Sequence, residues 1–215
     1  MIFMAVNTLL FDLDGTLIDT APDLAYALNT LLKENGLNEK PYEQIKPMVS
    51  HGGKALVAMG FDCDESHAEF SKRHQRLLQI YIDNIDKHSK TFSGIDDLVK
   101  LIKQRNMLWG IVTNKPENLT HLLLHKLELN PDVVVCGDSL EYNKPHPAPL
   151  LYACAKLAIK AETCLFIGDD KNDMIAGKNA GIKTIAVTYG YSKVEQDWGY
   201  DYLINTVKEL EKWIY

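Results

Sequence analysis

Alternating strand and helix patterns from Thr91 to the C-terminus constrain the fold of this 215-residue chain more than any other feature. Short apolar runs predict strands, and the stretches between them carry apolar residues at helical spacing. The predicted strands of this region are 108–113, 133–135, 163–168, 183–187 and 202–204. Such alternation indicates a parallel sheet with helices on both faces, because a parallel connection requires a crossover.

Two carboxylates follow the first apolar run of the chain, residues 6–11, which we also predict to be a buried strand. Asp12 and Asp14 are one residue apart, so in an extended chain both side chains face the same side. Gly15 then allows the backbone to leave the strand. Like charges buried together are costly unless a cation or a shared proton relieves them, so the pair indicates a metal site. The alternative interpretation is a solvated turn after the strand.

The part of the chain between the first strand and the alternating region carries helical spacing only. Ser66 and Glu69 have the spacing of a capping box at the start of its longest helix. The predicted helices of this block are 24–32, 41–48, 55–59 and 70–85. We therefore predict an all-helical domain of residues 19–89, inserted into an α/β domain made of residues 1–18 and 90–215.

Charge and composition exclude several classes of function. The net charge of −6 and the isoelectric point of about 5.6 argue against a nucleic-acid partner. We expect a cytoplasmic protein without a membrane partner, because the sequence has no long apolar run and its N-terminus lacks the basic region of a signal peptide. No Cys-x-x-Cys pair is present, which favours buried thiols over disulfides or zinc ligands. The four cysteines are Cys63, Cys136, Cys154 and Cys164.

Polar residues at the ends of the predicted strands, or in the loops that follow them, are the candidate site residues, because parallel sheets bind ligands at the carboxyl ends of their strands. These residues are Asp12, Asp14, Thr113, Asn114, Lys144, Asp169, Asp170 and Asp173. Taken singly, several have an ordinary structural explanation: a strand-end threonine packs, a loop lysine is solvated, and Asp170 caps the next helix. Pro145 restricts Lys144 to extended conformations, which allows its side chain to point into a site.

In order along the chain, four short segments match the four motifs of the haloacid dehalogenase superfamily of phosphohydrolases, which this sequence resembles. The segments are Asp12-Leu13-Asp14-Gly15-Thr16, Thr113-Asn114, Lys144-Pro145 and Gly168-Asp169-Asp170-x-x-Asp173. The resemblance covers essentially the whole chain. It implies an α/β fold, with a Rossmann-like three-layer core around a parallel sheet and an inserted all-helical cap.

The resemblance also implies roles in phosphoryl transfer. Asp12 is expected to be the nucleophile and Asp14 the general acid and base, whereas Thr113, Asn114 and Lys144 are expected to hold the phosphoryl group. The residue types suit this chemistry, because a carboxylate can form an acyl-phosphate and so split one difficult step into two. The positive charge of Lys144 would lie where negative charge accumulates.

A magnesium ion is the cofactor that the resemblance implies. Its expected ligands are Asp12, Asp169 and the backbone carbonyl of Asp14, with Asp173 supporting the ion through water. Carboxylates, phosphate oxygen and water are the ligands that Mg²⁺ prefers. Asp170 stands where relatives often have serine, so no role follows for it from the resemblance.

Within the superfamily the sequence resembles phosphoglycolate phosphatases, so a small phosphate ester, 2-phosphoglycolate, is the expected substrate. The segments that carry this resemblance are 19–25, 144–150 and 187–191. Trp198-Gly199 resembles the N-acetylmuramic acid 6-phosphate phosphatases instead, and that substrate is the first alternative. A sugar-phosphate mutase, which would release no net phosphate, a dehalogenase and a non-catalytic binding protein are the others. We expect a monomer or a homodimer.

Substrate choice is assigned to the cap, because the four motifs contact only phosphate, metal and the scissile oxygen. The segment Ser50-His51-Gly52-Gly53-Lys54 is the candidate, and we predict that His51, Gly53 and Lys54 bind substrate. Glycines allow backbone N–H groups to approach a ligand, and His51 and Lys54 can meet a carboxylate. The alternative interpretation is a plain turn followed by a solvated lysine.

Overall fold

The structure of the protein is a computed structural model that describes residues 6–214. The chain forms two compact units. The first, called the core unit below, comprises the chain up to Ile18 and from Thr91 onward, and the second, called the helical unit, is Asp19–Lys90.

The strands in chain order are β1 (Thr8–Phe11), β2 (Ile18–Asp19), β3 (Lys90–Thr91), β4 (Leu108–Val112), β5 (Val133–Val135), β6 (Cys164–Gly168), β7 (Lys183–Val187) and β8 (Tyr202–Ile204). The α-helices are α1 (Ala21–Glu34), α2 (Tyr42–Ile45), α3 (Gly52–Phe61), α4 (Phe70–Asp83), α5 (Ile95–Gln104), α6 (Glu117–Lys126), α7 (Ala148–Lys156) and α8 (Lys171–Asn179). The 3-10 helices are Lys46–His51, Ala161–Thr163, Gln196–Trp198 and Val207–Trp213.

Six parallel strands form the sheet of the core unit, in the order β5-β4-β1-β6-β7-β8. The predicted α/β fold with a parallel sheet is therefore confirmed. The central strand β1 pairs with β4 on one side and β6 on the other, so Phe11 is the partner of both Ile111 and Ile167. This register brings the residues that follow the three strands to one edge of the sheet.

Both faces of the sheet are buried. Leu10 packs with Phe166 in an apolar layer on one face. Leu9 and Phe11 point to the opposite face, because side chains alternate along a strand, and both are fully buried. The rings of Phe11 and Trp109 pack edge to face, with their centroids 6.4 Å apart. Burial on both sides explains why the central strand reads as a continuous apolar run.

The helical unit buries the apolar stripe of α1 against α4. Gly60 of α3 packs so closely on Leu28 that a Cβ at this position would press against the leucine side chain. The buried carboxylate of Asp23 accepts hydrogen bonds from the backbone N–H groups of His88 and Ser89, and from the Ser89 hydroxyl at 2.7 Å. These bonds tie the start of α1 to the segment before β3.

Three local features add to the sequence analysis or correct it. The capping box of Ser66 and Glu69 is wrong, because Ser66 donates to the Asp64 carboxylate and α4 begins at Phe70 without a side-chain cap. The last segment, Val207–Trp213, is a 3-10 helix. The β2–β3 pair was not predicted, since strands of two residues carry no periodicity.

Two observations bear on the expectations about thiols and membranes. All four cysteines are free thiols, and the Sγ atoms of Cys154 and Cys164 lie 3.7 Å apart in the interior. Within residues 6–214, no helix combines the length and the apolar character that crossing a membrane requires.

Candidate active site

Three buried aspartates converge at the carboxyl ends of β1 and β6. Asp12 and Asp169 each directly follow their strand, and Asp173 lies in the first turn of α8. The pairing of Phe11 with Ile167 places the first two side by side. One carboxylate oxygen from each aspartate lies within 4.8 Å of those of the other two. The structure thus brings together three residues that the sequence separates by up to 161 positions.

Lys144 supplies the positive charge of this cluster. Its Nζ lies 2.7 Å from Oδ1 of Asp12 and 2.7 Å from Oδ1 of Asp173, and the lysine is buried. Burial by itself lowers the pKa of this amine, but the two carboxylates raise it above its ordinary value. Lys144 is therefore a permanently charged bridge between the two aspartates.

The three carboxylates have raised pKa values. Burial raises the pKa of Asp12, and Lys144 only partly opposes this change. Burial also raises the pKa of Asp173, to about 7. Asp169 is shifted well above its ordinary pKa, first by burial and then by the charges of Asp12 and Asp173. Burial is the largest cause of each shift and the charges of neighbouring aspartates add to it, so the cluster carries more buried negative charge than Lys144 balances.

This charge deficit fits a divalent cation. Three carboxylates face a single lysine, and all of them are withdrawn from water. A hard cation with a preference for oxygen ligands would neutralise the remaining negative charge, and Mg²⁺ typically uses one or two carboxylates together with phosphate oxygen and water. The donor set of Asp12, Asp169 and Asp173 matches that preference.

The carboxylate of Asp169 is held from several sides. Its Oδ1 accepts from the Thr16 hydroxyl at 3.1 Å and its Oδ2 from the backbone N–H of Tyr191 at 2.8 Å. A Cβ on either Gly15 or Gly190 would overlap this side chain, and Gly15 also has a positive φ of 84°. The two glycines therefore form a cradle that only residues without a side chain allow.

Asp14 has a buried partner that the sequence analysis missed. Lys115 Nζ lies 3.1 Å from Oδ1 and 3.3 Å from Oδ2 of Asp14, and the exposed fractions of the two side chains are 6% and 17%. A repeated tripeptide was the available signal. Asn114-Lys115-Pro116 comes directly after Thr113 at the end of β4, and the same tripeptide, Asn143-Lys144-Pro145, lies in the longer loop after β5.

Asn114 and Thr113 organise the loops around the two lysines. The side-chain amide of Asn114 donates to the backbone carbonyl of Lys144 at 3.0 Å, and its oxygen accepts from the Lys144 N–H at 3.1 Å. The hydroxyl of Thr113, which is buried, accepts from the backbone N–H of Lys115 at 3.1 Å. Asn114 therefore fixes the loop that delivers Lys144, and binding of phosphate by either residue stays a prediction.

Asp170 is the cap of α8. Its carboxylate accepts from the backbone N–H of Asn172 at 2.9 Å, and Asp173 completes a capping box by accepting from the Asp170 N–H at 3.1 Å. Oδ2 of Asp170 also accepts from the Ser192 hydroxyl at 3.3 Å. The helix-cap interpretation of Asp170 is confirmed.

The candidate specificity residues belong to the helical unit. His51 ends a 3-10 helix, and Gly53 lies in the first turn of α3 beside the imidazole of His74. Lys54 forms a 2.6 Å ion pair with Glu65, and both side chains are mostly exposed. That His51, Gly53 and Lys54 contact substrate stays a prediction.

Comparison with known proteins identifies the family. The model of the haloacid dehalogenase-like hydrolases matches residues 9–187, from β1 to the end of β7. The chain belongs to this family. The acidic cluster and Lys144 therefore belong to a hydrolase of the haloacid dehalogenase type.

Relatives within the family carry two different substrate names. An N-acetylmuramic acid 6-phosphate phosphatase of Pseudomonas putida is 37% identical over 214 residues, covering 97% of this chain and 96% of the relative. A phosphoglycolate phosphatase of Xanthomonas campestris is 36% identical over 215 residues, covering 95% and 94%. Among solved structures of the family, one from Haemophilus somnus, described as a predicted phosphoglycolate phosphatase, has a TM-score of 0.87 at 26% identity, covering 96% of each chain.

Proposed function

We propose that this protein hydrolyses phosphate monoesters of small metabolites, with Mg²⁺ as cofactor and 2-phosphoglycolate as substrate. The observation that carries the proposal is the buried cluster of Asp12, Asp169 and Asp173 around Lys144 at the edge of the sheet. The family and the names of the relatives support a phosphatase.

Asp12 is the nucleophile in this proposal. Lys144 holds its Oδ1, which orients the carboxylate, and an oriented carboxylate can attack phosphorus in line with the leaving oxygen. A bond forms between Asp12 and phosphorus while the ester P–O bond breaks. Lys144 also offers positive charge to the transferring group, which makes the repulsion between Asp12 and the phosphate smaller.

Asp14 moves the protons. It gives a proton to the leaving alkoxide, which departs as the alcohol, and later takes a proton from the water that attacks the aspartyl phosphate on Asp12. Hydrolysis then breaks the bond between Asp12 and phosphorus, releases inorganic phosphate, and restores Asp12 as the carboxylate and Asp14 as the protonated acid. The backbone helps to place this residue, since Gly15 N–H donates to the carbonyl of Ile18 at 3.0 Å and closes the turn that follows Asp14.

Asp12 and Asp169, with the backbone carbonyl of Asp14, would hold Mg²⁺, and Asp173 would support it. When bound, the ion supplies positive charge that stabilises the transferring phosphoryl group. Thr16 and the Tyr191 N–H keep Asp169 in position for this task.

The proposed choice of substrate is based on the names of the relatives. Those named phosphoglycolate phosphatase support 2-phosphoglycolate, and the P. putida relative makes N-acetylmuramic acid 6-phosphate the second candidate. Trp198, whose neighbour Gly199 completes the Trp-Gly feature of the second candidate, is buried against Met174 and Ala186.

A panel of phosphate esters tests the proposal. Phosphate release is measured with 2-phosphoglycolate, N-acetylmuramic acid 6-phosphate, glucose phosphates and p-nitrophenyl phosphate, each with Mg²⁺, with EDTA and with Ca²⁺ in place of Mg²⁺. We expect turnover with Mg²⁺ but not with EDTA or with Ca²⁺, and the highest kcat/KM for 2-phosphoglycolate. A preference of tenfold or more for the muramic ester, about 1.4 kcal/mol in transition-state binding, would overturn the substrate and keep the phosphatase. No release from any ester would overturn the phosphatase itself.

A further inference from the structure

We infer that Lys115 is a positioning residue, which holds the carboxylate of Asp14 in place for proton transfer. The inference rests on the proposed function, in which Asp14 is the general acid and base. Within the core unit, the two carboxylates that follow β1 have different lysine partners. Lys144 contacts Asp12 and Asp173, whereas Lys115 contacts Asp14.

The contact between Lys115 and Asp14 restrains orientation as well as position. Nζ approaches both carboxylate oxygens almost equally, at 3.1 and 3.3 Å, so rotation of the carboxylate would lengthen one of the two contacts. Both side chains are largely withdrawn from water. Exposed lysine–carboxylate pairs are weak because water screens them and the long side chains lose entropy, and these losses are smaller for a buried pair.

The backbone of Lys115 is anchored on both sides. Its N–H donates to Thr113 Oγ1 at 3.1 Å, and its carbonyl accepts from the Gly137 N–H at 2.9 Å and from the Thr120 hydroxyl at 3.4 Å. A Cβ on Gly137 would overlap the carbonyl of Asn114, so the two loops are packed closely. Lys115 therefore projects from a fixed backbone, as a positioning residue requires.

Proton transfer explains why Asp14 needs such a restraint. The same carboxylate must reach the leaving oxygen in the first step and, in the second, the attacking water, which takes the place of the leaving group in line with Asp12, so one fixed position serves both steps. A misplacement of about 1 Å can lower a catalysed rate on the order of 100-fold. Removing Lys115 should therefore slow the steps that need Asp14, and leave unaffected the attack by Asp12 on an ester whose leaving group needs no proton.

The test compares Lys115→Met, which removes the charge and the donors, with Lys115→Arg, which keeps both. Lys100→Met is the matched control, because Lys100 is an exposed lysine of the core unit paired with Asp97. The substrates are 2-phosphoglycolate, whose alkoxide must be protonated, and p-nitrophenyl phosphate, whose leaving group needs little protonation. Steady-state constants, the first turnover by rapid mixing and thermal unfolding are measured for each variant.

For Lys115→Met we expect kcat with 2-phosphoglycolate to fall about 100-fold, with KM unchanged within about twofold. With p-nitrophenyl phosphate, the first turnover should keep its rate while later turnovers slow, so that a burst of p-nitrophenol precedes the steady state. Lys115→Arg should recover part of the loss, and Lys100→Met should match the wild type. Adding Lys115→Met to Asp14→Asn should cause no further loss, because both act on the same step.

If the wild type hydrolyses the substrate in a Mg²⁺-dependent reaction, either of two results would overturn the inference. One is an unchanged kcat in Lys115→Met. The other is a raised KM for 2-phosphoglycolate alone, which would make Lys115 a ligand of the substrate carboxylate. If thermal unfolding shows that Lys115→Met does not fold, Lys115→Gln carries the same expectations. Absence of turnover in the wild type would instead refute the proposed function.

Discussion

At the scale of single residues, Asp12 combines a position at the end of a buried strand with an ion pair to Lys144. We expect Asp12→Asn to lower kcat on the order of 1000-fold or more, because an amide cannot form the phosphoenzyme. The fold should persist, since asparagine has nearly the same shape and Lys144 keeps Asp173 as its second partner.

Phosphate release and thermal unfolding check this prediction on the same preparation. Mass spectrometry after mixing with substrate should detect a phosphorylated species in the wild type only. Substantial phosphate release by a homogeneous Asp12→Asn sample would remove Asp12 from the role of nucleophile. The matched control is Asp138→Asn, because Asp138 is an exposed aspartate outside the acidic cluster that accepts from the backbone N–H of Glu117.

At the scale of elements, the segment after β7 supports the acidic cluster from outside the motifs. Gly190 packs against Asp169, Tyr191 N–H donates to the same carboxylate, and the Tyr189 hydroxyl donates to the carbonyl of Thr16 at 3.2 Å. The ring of Tyr189 also contacts that of Phe92 at 5.0 Å. This segment therefore fixes both Asp169 and the turn that follows β1.

Gly190→Ala should raise the Mg²⁺ concentration needed for half-maximal activity about 10- to 100-fold, the range seen when support of a metal ligand is lost. The added methyl would overlap the Asp169 side chain and displace it. Titration of Mg²⁺ by calorimetry provides a second measurement that does not depend on turnover.

Gly181→Ala is the control for this substitution. Gly181 has a positive φ of 71° and no neighbour within 4 Å of an added Cβ. Its replacement should lower the melting temperature through backbone strain, and leave the Mg²⁺ requirement unchanged. Equal Mg²⁺ requirements in both variants and the wild type would contradict the cradle.

At the scale of the whole molecule, the residues to which we assign phosphoryl transfer lie in the core unit, and the residues predicted to choose the substrate lie in the helical unit. We expect His51→Ala and Lys54→Ala to raise KM for 2-phosphoglycolate and to leave p-nitrophenyl phosphate, which has no carboxylate, nearly unaffected. Loss of the exposed Lys54–Glu65 pair should cost little stability, so the helical unit should stay folded.

Lys72→Ala is the matched control for the cap variants, because Lys72 is another exposed lysine of the helical unit, paired with Glu69 at 3.4 Å. Its constants should equal those of the wild type for both substrates. A parallel loss on both substrates in His51→Ala and Lys54→Ala would mean that the segment serves the fold rather than recognition.

The sequence by itself determined the fold class and the candidate residues of the site. Apolar periodicity is a local property, and the rule that parallel strands end at one edge turns strand-end residues such as Asp12 and Asp169 into neighbours.

Only the tertiary structure decided which polar groups become partners. Lys115 and Asp14 are 101 positions apart, and Asn114 and Lys144 are 30 apart, so their contacts depend on strand register and loop path rather than on local pattern. Local competition explains the wrong capping-box prediction. The Asp64 carboxylate accepts from both the N–H and the hydroxyl of Ser66, and such bonds between residues two apart compete with helix caps. Which polar groups pair is therefore decided only in the folded chain. Groups from distant parts of the sequence meet at the same place there, and the pairing of lowest free energy forms.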